Sequence, residues 1–249
     1  ILGFSLNRID INLSNTLHSN WFFLAMIIGL MFIGMFFLIG YSAQKAGISV
    51  TTVSTKISVV VPILFSIFYD PNDKINMVKA LGIGLALIAL FLSVYKKRTE
   101  KVNRKFIFLP VILFVGMGTI DSIVKFAQHD YINHSNLPAF TAFTFACSLV
   151  SGIIILIVLR YPIKDFLSIK AWVIGILLGM ANFGSMYFLV LALENSIFSG
   201  SAVFGINNIG IVGFSVLIAL LFFKERLKPI NWIGIFISMI AIWVLAMAN

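Results

Sequence analysis

Five stretches of this chain carry no Asp, Glu, Lys or Arg, and each is long enough to cross a bilayer as a helix: Trp21 to Ala43, Leu137 to Leu159, Ala171 to Leu193, Asn195 to Phe223 and Pro229 to Asn249. Such runs leave few folds open. A membrane β-barrel is written in short alternating segments, and only closed barrels and helices satisfy their backbone groups in hydrocarbon. Of the 249 residues 60% are hydrophobic and 11% charged, so the expected fold is an all-α, multi-pass integral membrane protein.

Spans are drawn at 21–45, 49–69, 75–95, 106–128, 138–160, 171–193, 197–223 and 230–248, which makes eight. Ile1 to Leu6 reads as the tail of an apolar segment already under way, so a preceding part is expected to be missing; a signal peptide's charged leader and cleavage site are lacking. The cluster Lys96, Lys97, Arg98, Lys101, Arg104 and Lys105, between the third and fourth spans, is placed in the cytoplasm. Alternating from there, Lys45, Arg160, Lys164, Lys170, Lys224, Arg226 and Lys228 join it, giving thirteen basic residues against Arg8, Lys74 and Lys79 on the other side. The net charge of +9 thus has a topological cause, and no nucleic-acid partner is expected. The single cysteine, Cys147, lies inside a span and cannot close an intrachain disulfide.

The basic cluster also divides the chain into similar halves. Trp21 to Tyr95 can be laid over Trp172 to Leu245. Each begins with Trp, continues through a Gly-containing span (Gly34; Gly184) and a near-absent loop (46–48; 195–198), and then has a span bearing Ser, Thr or Asn. Each closes with a charged turn (Asp70 to Lys74; Lys224 to Lys228) and a last span with Leu81-Gly82 opposite Ile233-Gly234. Two spans precede the second copy, so the first should once have had two as well. The expected organisation is a truncated first repeat over 1–95, a cytoplasmic linker over 96–105 and a second repeat over 106–249. Ten spans would make up the intact protein, and because five is odd the two repeats would lie inverted in the membrane, as in secondary transporters.

On Ala43 to Pro62, and on Ala192 to Trp232 with its small residues, long span, Lys224-Glu225-Arg226-Leu227 turn and Trp232-Ile233-Gly234 opening, the chain resembles the EamA-like branch of the drug/metabolite transporter superfamily over nearly its whole length. The resemblance implies ten helices in two inverted five-helix repeats around a central cavity. It also implies movement of a small polar metabolite, an amino acid or related efflux substrate, by alternating access across a bacterial inner membrane. Neither an enzyme activity nor a cofactor is implied. One departure is that Pro62 has no counterpart in the second copy, where Asn207 and Asn208 bring polarity earlier. A lipid or lipid-phosphate flippase of the same fold is the alternative; a membrane enzyme is less favoured, since the three histidines fall in loops.

Lys56 is the residue that most needs a role, because it lies about a third of the way along a span, where charge is costly unless it faces protein or water. On a helix Ser49, Thr52 and Lys56 share one stripe while Thr51, Ser54 and Ser58 take the opposite side, so this span is surrounded by other helices. No acid is within one helical turn of Lys56. Its partner must come from another helix, from backbone carbonyls or from a substrate anion, and a buried structural lysine, or one reaching the interface on its stem, stands beside the substrate role. Thr52 and the mid-span amides Asn182, Asn207 and Asn208 complete the candidate substrate site, with helix-to-helix hydrogen bonding as the other reading for each amide.

Asp121, Lys125 and Gln128 fall on one stripe, where acid and base can pair directly as a structural tie; alternatively Asp121 takes up a proton coupled to transport, with Lys125 adjusting it. Gln44 and Glu194 occupy matching places beside the tight turns and are read as caps or gate contacts. His129, Asp130 and His134 lack metal-site spacing and read as a solvated loop, so no metal is expected.

Overall fold

The computed structural model describes residues 19–46, 48–94, 106, 108–160, 168–221 and 229–247. The expected stub before Ser19, the basic linker and the Lys224 to Lys228 turn lie outside the described residues. Among those described there are nine helical segments and no strand. They are α1 (Asn20–Lys45), α2 (Ile48–Ile57), α3 (Val60–Tyr69), α4 (Met77–Val94), α5 (Phe108–Asp130), α6 (Leu137–Val158), α7 (Ile169–Asn195), α8 (Gly200–Leu221) and α9 (Pro229–Met247). With α2 and α3 taken as one broken helix, they fall on the eight spans drawn from the sequence. Five are long and apolar enough to cross a membrane: α1, Thr51–Tyr69, α5, α6 and Trp172–Asn195; the apolar stretches in α4, α8 and α9 are shorter.

The break between α2 and α3 follows from Pro62. Its ring has no N–H and clashes with the carbonyl four residues back, at Ser58. That carbonyl accepts from the Val61 N–H at 3.0 Å instead, and Ser58 Oγ donates to Thr55 O at 2.7 Å. The span therefore consists of two half-helices, and Lys56 occupies the last turn of the first. The partial negative charge of a helix C-terminus favours a cation there, which lessens the cost of burying this one.

The described residues form two compact units, each drawing on both halves of the chain: those within 19–34 with those within 126–195, and those within 35–125 with those within 196–247. In the first, the Asn20 to Gly34 part of α1 runs parallel to α6, since Trp21 meets Phe140, Gly29 meets Ser148 and Ile33 meets Gly152 in the same chain order. Ser148 Oγ donates to Gly29 O at 2.8 Å, and a Cβ on Gly29 would stand 2.5 Å from Thr144 O, so only glycine permits this approach. Aromatic edges hold the same seam, with Phe22 and Phe143 centroids 5.3 Å apart.

In the second unit α4 and α9 run antiparallel. Gly82, early in α4, touches Leu245, late in α9, whereas Asn231 Nδ2 at the start of α9 donates to Leu92 O near the end of α4 at 3.0 Å. Leu245 is fully buried, and Gly205 of α8 also approaches it, so three helices converge on one side chain. Helix α5 passes the α2–α3 break closely: a Cβ on its Gly118 would lie 2.5 Å from Val61 Cβ and 3.0 Å from Ser58 O. Within the spans, hydroxyls at Thr119, Ser122, Thr141, Thr144 and Ser151 each donate to the carbonyl one turn back, which satisfies them without water.

Candidate functional site

Two oppositely charged residues of the second unit lie within the helices. Lys56 stands at the end of α2, and Asp121 stands on α5 one turn beyond Gly118, the residue that lets α5 approach the break. Each is the charge that acts on the other. No hydrogen bond or direct ion pair to either is found among the described residues, and both keep some accessible surface. The charge that acts on Lys56 thus comes from another helix.

Lys125 has a different partner from the one its spacing offered. Its Nζ donates to Asp70 Oδ2 at 3.0 Å, across 55 residues of sequence, and the lysine is buried. The i, i+4 spacing on α5 put Asp121 within reach of Lys125, but the Asp70 carboxylate takes the ammonium. Gln128, one turn on, lies at the start of the segment assigned to the first unit and is partly buried.

The remaining candidates are distributed. Thr52 is partly buried on α2, where its carbonyl accepts from Thr55 Oγ1 at 3.0 Å; the side chain of Ser49, on the same stripe, is outside the described residues. Of the opposite stripe, Thr51 is buried and bonds Ser42 at 2.7 Å, Ser58 is buried at the break, and Ser54 lines a shallow open groove with Val53, Ile57, Pro110, Val111 and Phe114. Asn207 and Asn208 are partly buried on α8, in the same unit as Lys56, and Asn208 Nδ2 donates to Phe204 O at 3.1 Å. Asn182 belongs to the other unit, and its Nδ2 donates to Leu178 O at 2.9 Å. Each of these two amides therefore spends one N–H on its own helix and retains a second N–H and the carbonyl oxygen. Gln44 is exposed, whereas Glu194 Oε2 is buried with no hydrogen-bond partner among the described residues. His129 Nδ1 lies 2.7 Å from Asp130, and His134 Nε2 lies 2.9 Å from Asn195 Oδ1.

Sequence reasoning missed a buried polar cluster at the end of α3. Asp73 Oδ2 accepts from Ser66 Oγ and from the Ser201 backbone N–H, both at 2.6 Å, while Oδ1 accepts from Lys79 Nζ at 2.9 Å and Ser201 Oγ at 2.7 Å. Ser66, Asp73, Lys79 and Ser201 are all buried. Burial alone would raise the carboxyl pKa of Asp73, but the hydrogen bonds from Ser66, Lys79 and Ser201 outweigh it and hold the group below its ordinary value. In the sequence, residues 70–74 look like a solvated charged turn and Lys79 like an outer basic residue. The one local hint was an apolar span resuming at once around Lys79.

No family model matches the chain. An uncharacterized protein of Haemophilus influenzae (strain ATCC 51907 / DSM 11121 / KW20 / Rd) is 29% identical over 224 residues, covering 88% of this chain and 74% of that protein. The fold is also similar to that of a protein solved by crystallography, with a TM-score of 0.69 at 11% identity, over 95% of this chain and 92% of the other.

Proposed function

We propose that this protein is a secondary transporter of the drug/metabolite type, which moves a small polar metabolite by alternating access across a bacterial inner membrane. The observation that carries the reading is the Lys56–Asp121 pair: two opposite charges on different helices, acting on each other without a hydrogen bond or direct ion pair between them. A purely structural pair would close to hydrogen-bonding distance and satisfy both groups, because an open pair forfeits the attraction that offsets desolvation. In this reading the solute comes between the two charges. Its chemistry suits a zwitterion such as an amino acid, whose carboxylate would meet Lys56 and whose ammonium would meet Asp121, with the amides of Asn207 and Asn208 supplying neutral donors and acceptors.

Two further features support the reading. Half-helices that end inside the membrane are the usual builders of transporter sites, and α2 ends beside Lys56. The closing helices of the two sequence copies, α4 and α9, run antiparallel side by side, the relation that inverted repeats require of corresponding helices. The test is a panel of amino acids and small carboxylates, scored by thermal stabilisation of the purified protein and then by uptake into proteoliposomes. We expect at least one zwitterionic compound to raise the melting temperature of the wild type and not of Lys56→Met. A compound that stabilises and is carried equally well by both would remove Lys56 from the site.

A further inference from the structure

We propose that the turn at residues 70–76 is a latch that closes one end of the transport path, and that this end opens when Asp73 releases Ser201 and Asp70 releases Lys125. The inference rests on the transporter reading above, because only a path has an end that must open.

The turn is tied to two helices remote in sequence, and every one of these ties is polar. Asp73 holds the first turn of α8 through the Ser201 N–H and Oγ, and Asp70 holds α5 through Lys125. Water can replace such bonds one for one when the end hydrates, so their net hold is small relative to their number. The nearby α4–α9 seam is different: Leu245 is held by close packing against Gly82 and Gly205, which water entering that end cannot replace. One set of contacts is thus suited to repeated breaking and the other to staying shut.

The cluster is not a ligand site, since the Asp73 carboxylate already accepts four hydrogen bonds and has no lone pair left to offer. Closure is also tight. A Cβ on Gly200 would collide with Ser66 Oγ and lie 2.9 Å from Lys125 Cε, so α8 begins in contact with both ties. At the opposite end of the α2–α3 pair, beside the short turn after Lys45, Ser42 and Thr51 make a second buried polar bond of 2.7 Å. Both ends of the broken helix that carries Lys56 are therefore clasped by exchangeable hydrogen bonds.

Distance measurement between spin labels tests the latch without any substrate. Labels go on Asn72→Cys and Ile197→Cys, both exposed, in a Cys147→Ser background of the full chain in nanodiscs. The same pair is then read with Ser201→Ala, which removes the hydroxyl half of the Asp73 tie and leaves its backbone N–H bond, and separately with Asp70→Asn, which weakens the other tie. We expect a single short distance with the latch intact, and in the variants a second resolved population longer by about 5 Å or more, the scale of known gating shifts. A single unchanged distance in both variants overturns the proposal. So does continuous broadening with a falling melting temperature, which would make the cluster a static tie. Uptake of solute by a protein whose distance never divides would sink the latch alone, whereas two populations with no solute carried would uphold the hinged end and count against the transporter reading.

Discussion

Lys56 and Asp121 act on each other from different helices without closing into a direct pair. Removing one takes the opposing charge from the other, at a cost below the roughly 3 kcal/mol of breaking a closed buried pair. We therefore expect Lys56→Met to lower the melting temperature in detergent and Lys56→Met/Asp121→Asn to recover most of the loss; equal destabilisation of both, with no recovery, would show that the two charges do not depend on each other. Asp73 behaves differently because its hydrogen bonds stabilise the ionised form. A carboxyl held below its ordinary value of 3.8 contributes stability that is complete above that value and is lost as the pH falls through the folded-state pKa. The melting-temperature gap between wild type and Asp73→Asn should accordingly stay constant from about pH 5 to 8 and close below about pH 4. A gap that narrows near neutral pH would contradict the network described here. Neither partnership was legible in the sequence, since Asp121 is 65 residues from Lys56 and Ser201 is 128 from Asp73.

At the scale of elements, the decisive contact is α5 against the α2–α3 break. Gly118→Ala would push a methyl into Val61 and the Ser58 carbonyl, and crowding of this kind costs about 1–3 kcal/mol. Gly175→Ala on α7 is the contrast, because its Cβ would meet nothing within 4 Å and alanine is the better helix former. We expect the first substitution to lower thermal stability and to weaken any response to ligand, and the second to leave both unchanged. If the two behave alike, the close approach at Gly118 is not what positions Asp121. The helices themselves were readable from apolar run length, because a span in hydrocarbon has to satisfy its backbone internally. The break at Ser58 and Val59 is signalled by Pro62.

For the whole molecule, the asymmetry of basic residues predicts that residues 96–105 face the cytoplasm and that the C-terminal end of the chain faces away from it. Reporter fusions at both places check this, and a cytoplasmic reporter signal at Asn249 would refute the orientation or the count of spans. The repeat relation predicts that the helices over 21–45 and 49–69 superpose on those over 171–193 and 197–223 only after rotation about an axis in the membrane plane, and an experimental structure in lipid would decide it.

What the sequence determined by itself was the class of fold and the ends of its helices. Hydrocarbon permits almost no polar backbone to go unpaired, so Trp21 to Ala43 or Leu137 to Leu159 has hardly any structure to adopt except a helix. Which charge meets which was left to the tertiary structure. Lys125 is within one turn of Asp121 and bonds Asp70, Lys79 reads as a base of the non-cytoplasmic side and is buried on Asp73, and Lys56 is acted on by Asp121 without bonding it. The reason is that apolar run length acts along the chain and is recorded locally, whereas an ion pair depends on which helices pack together, and here that is decided by small close-contact residues such as Gly118 and Gly200.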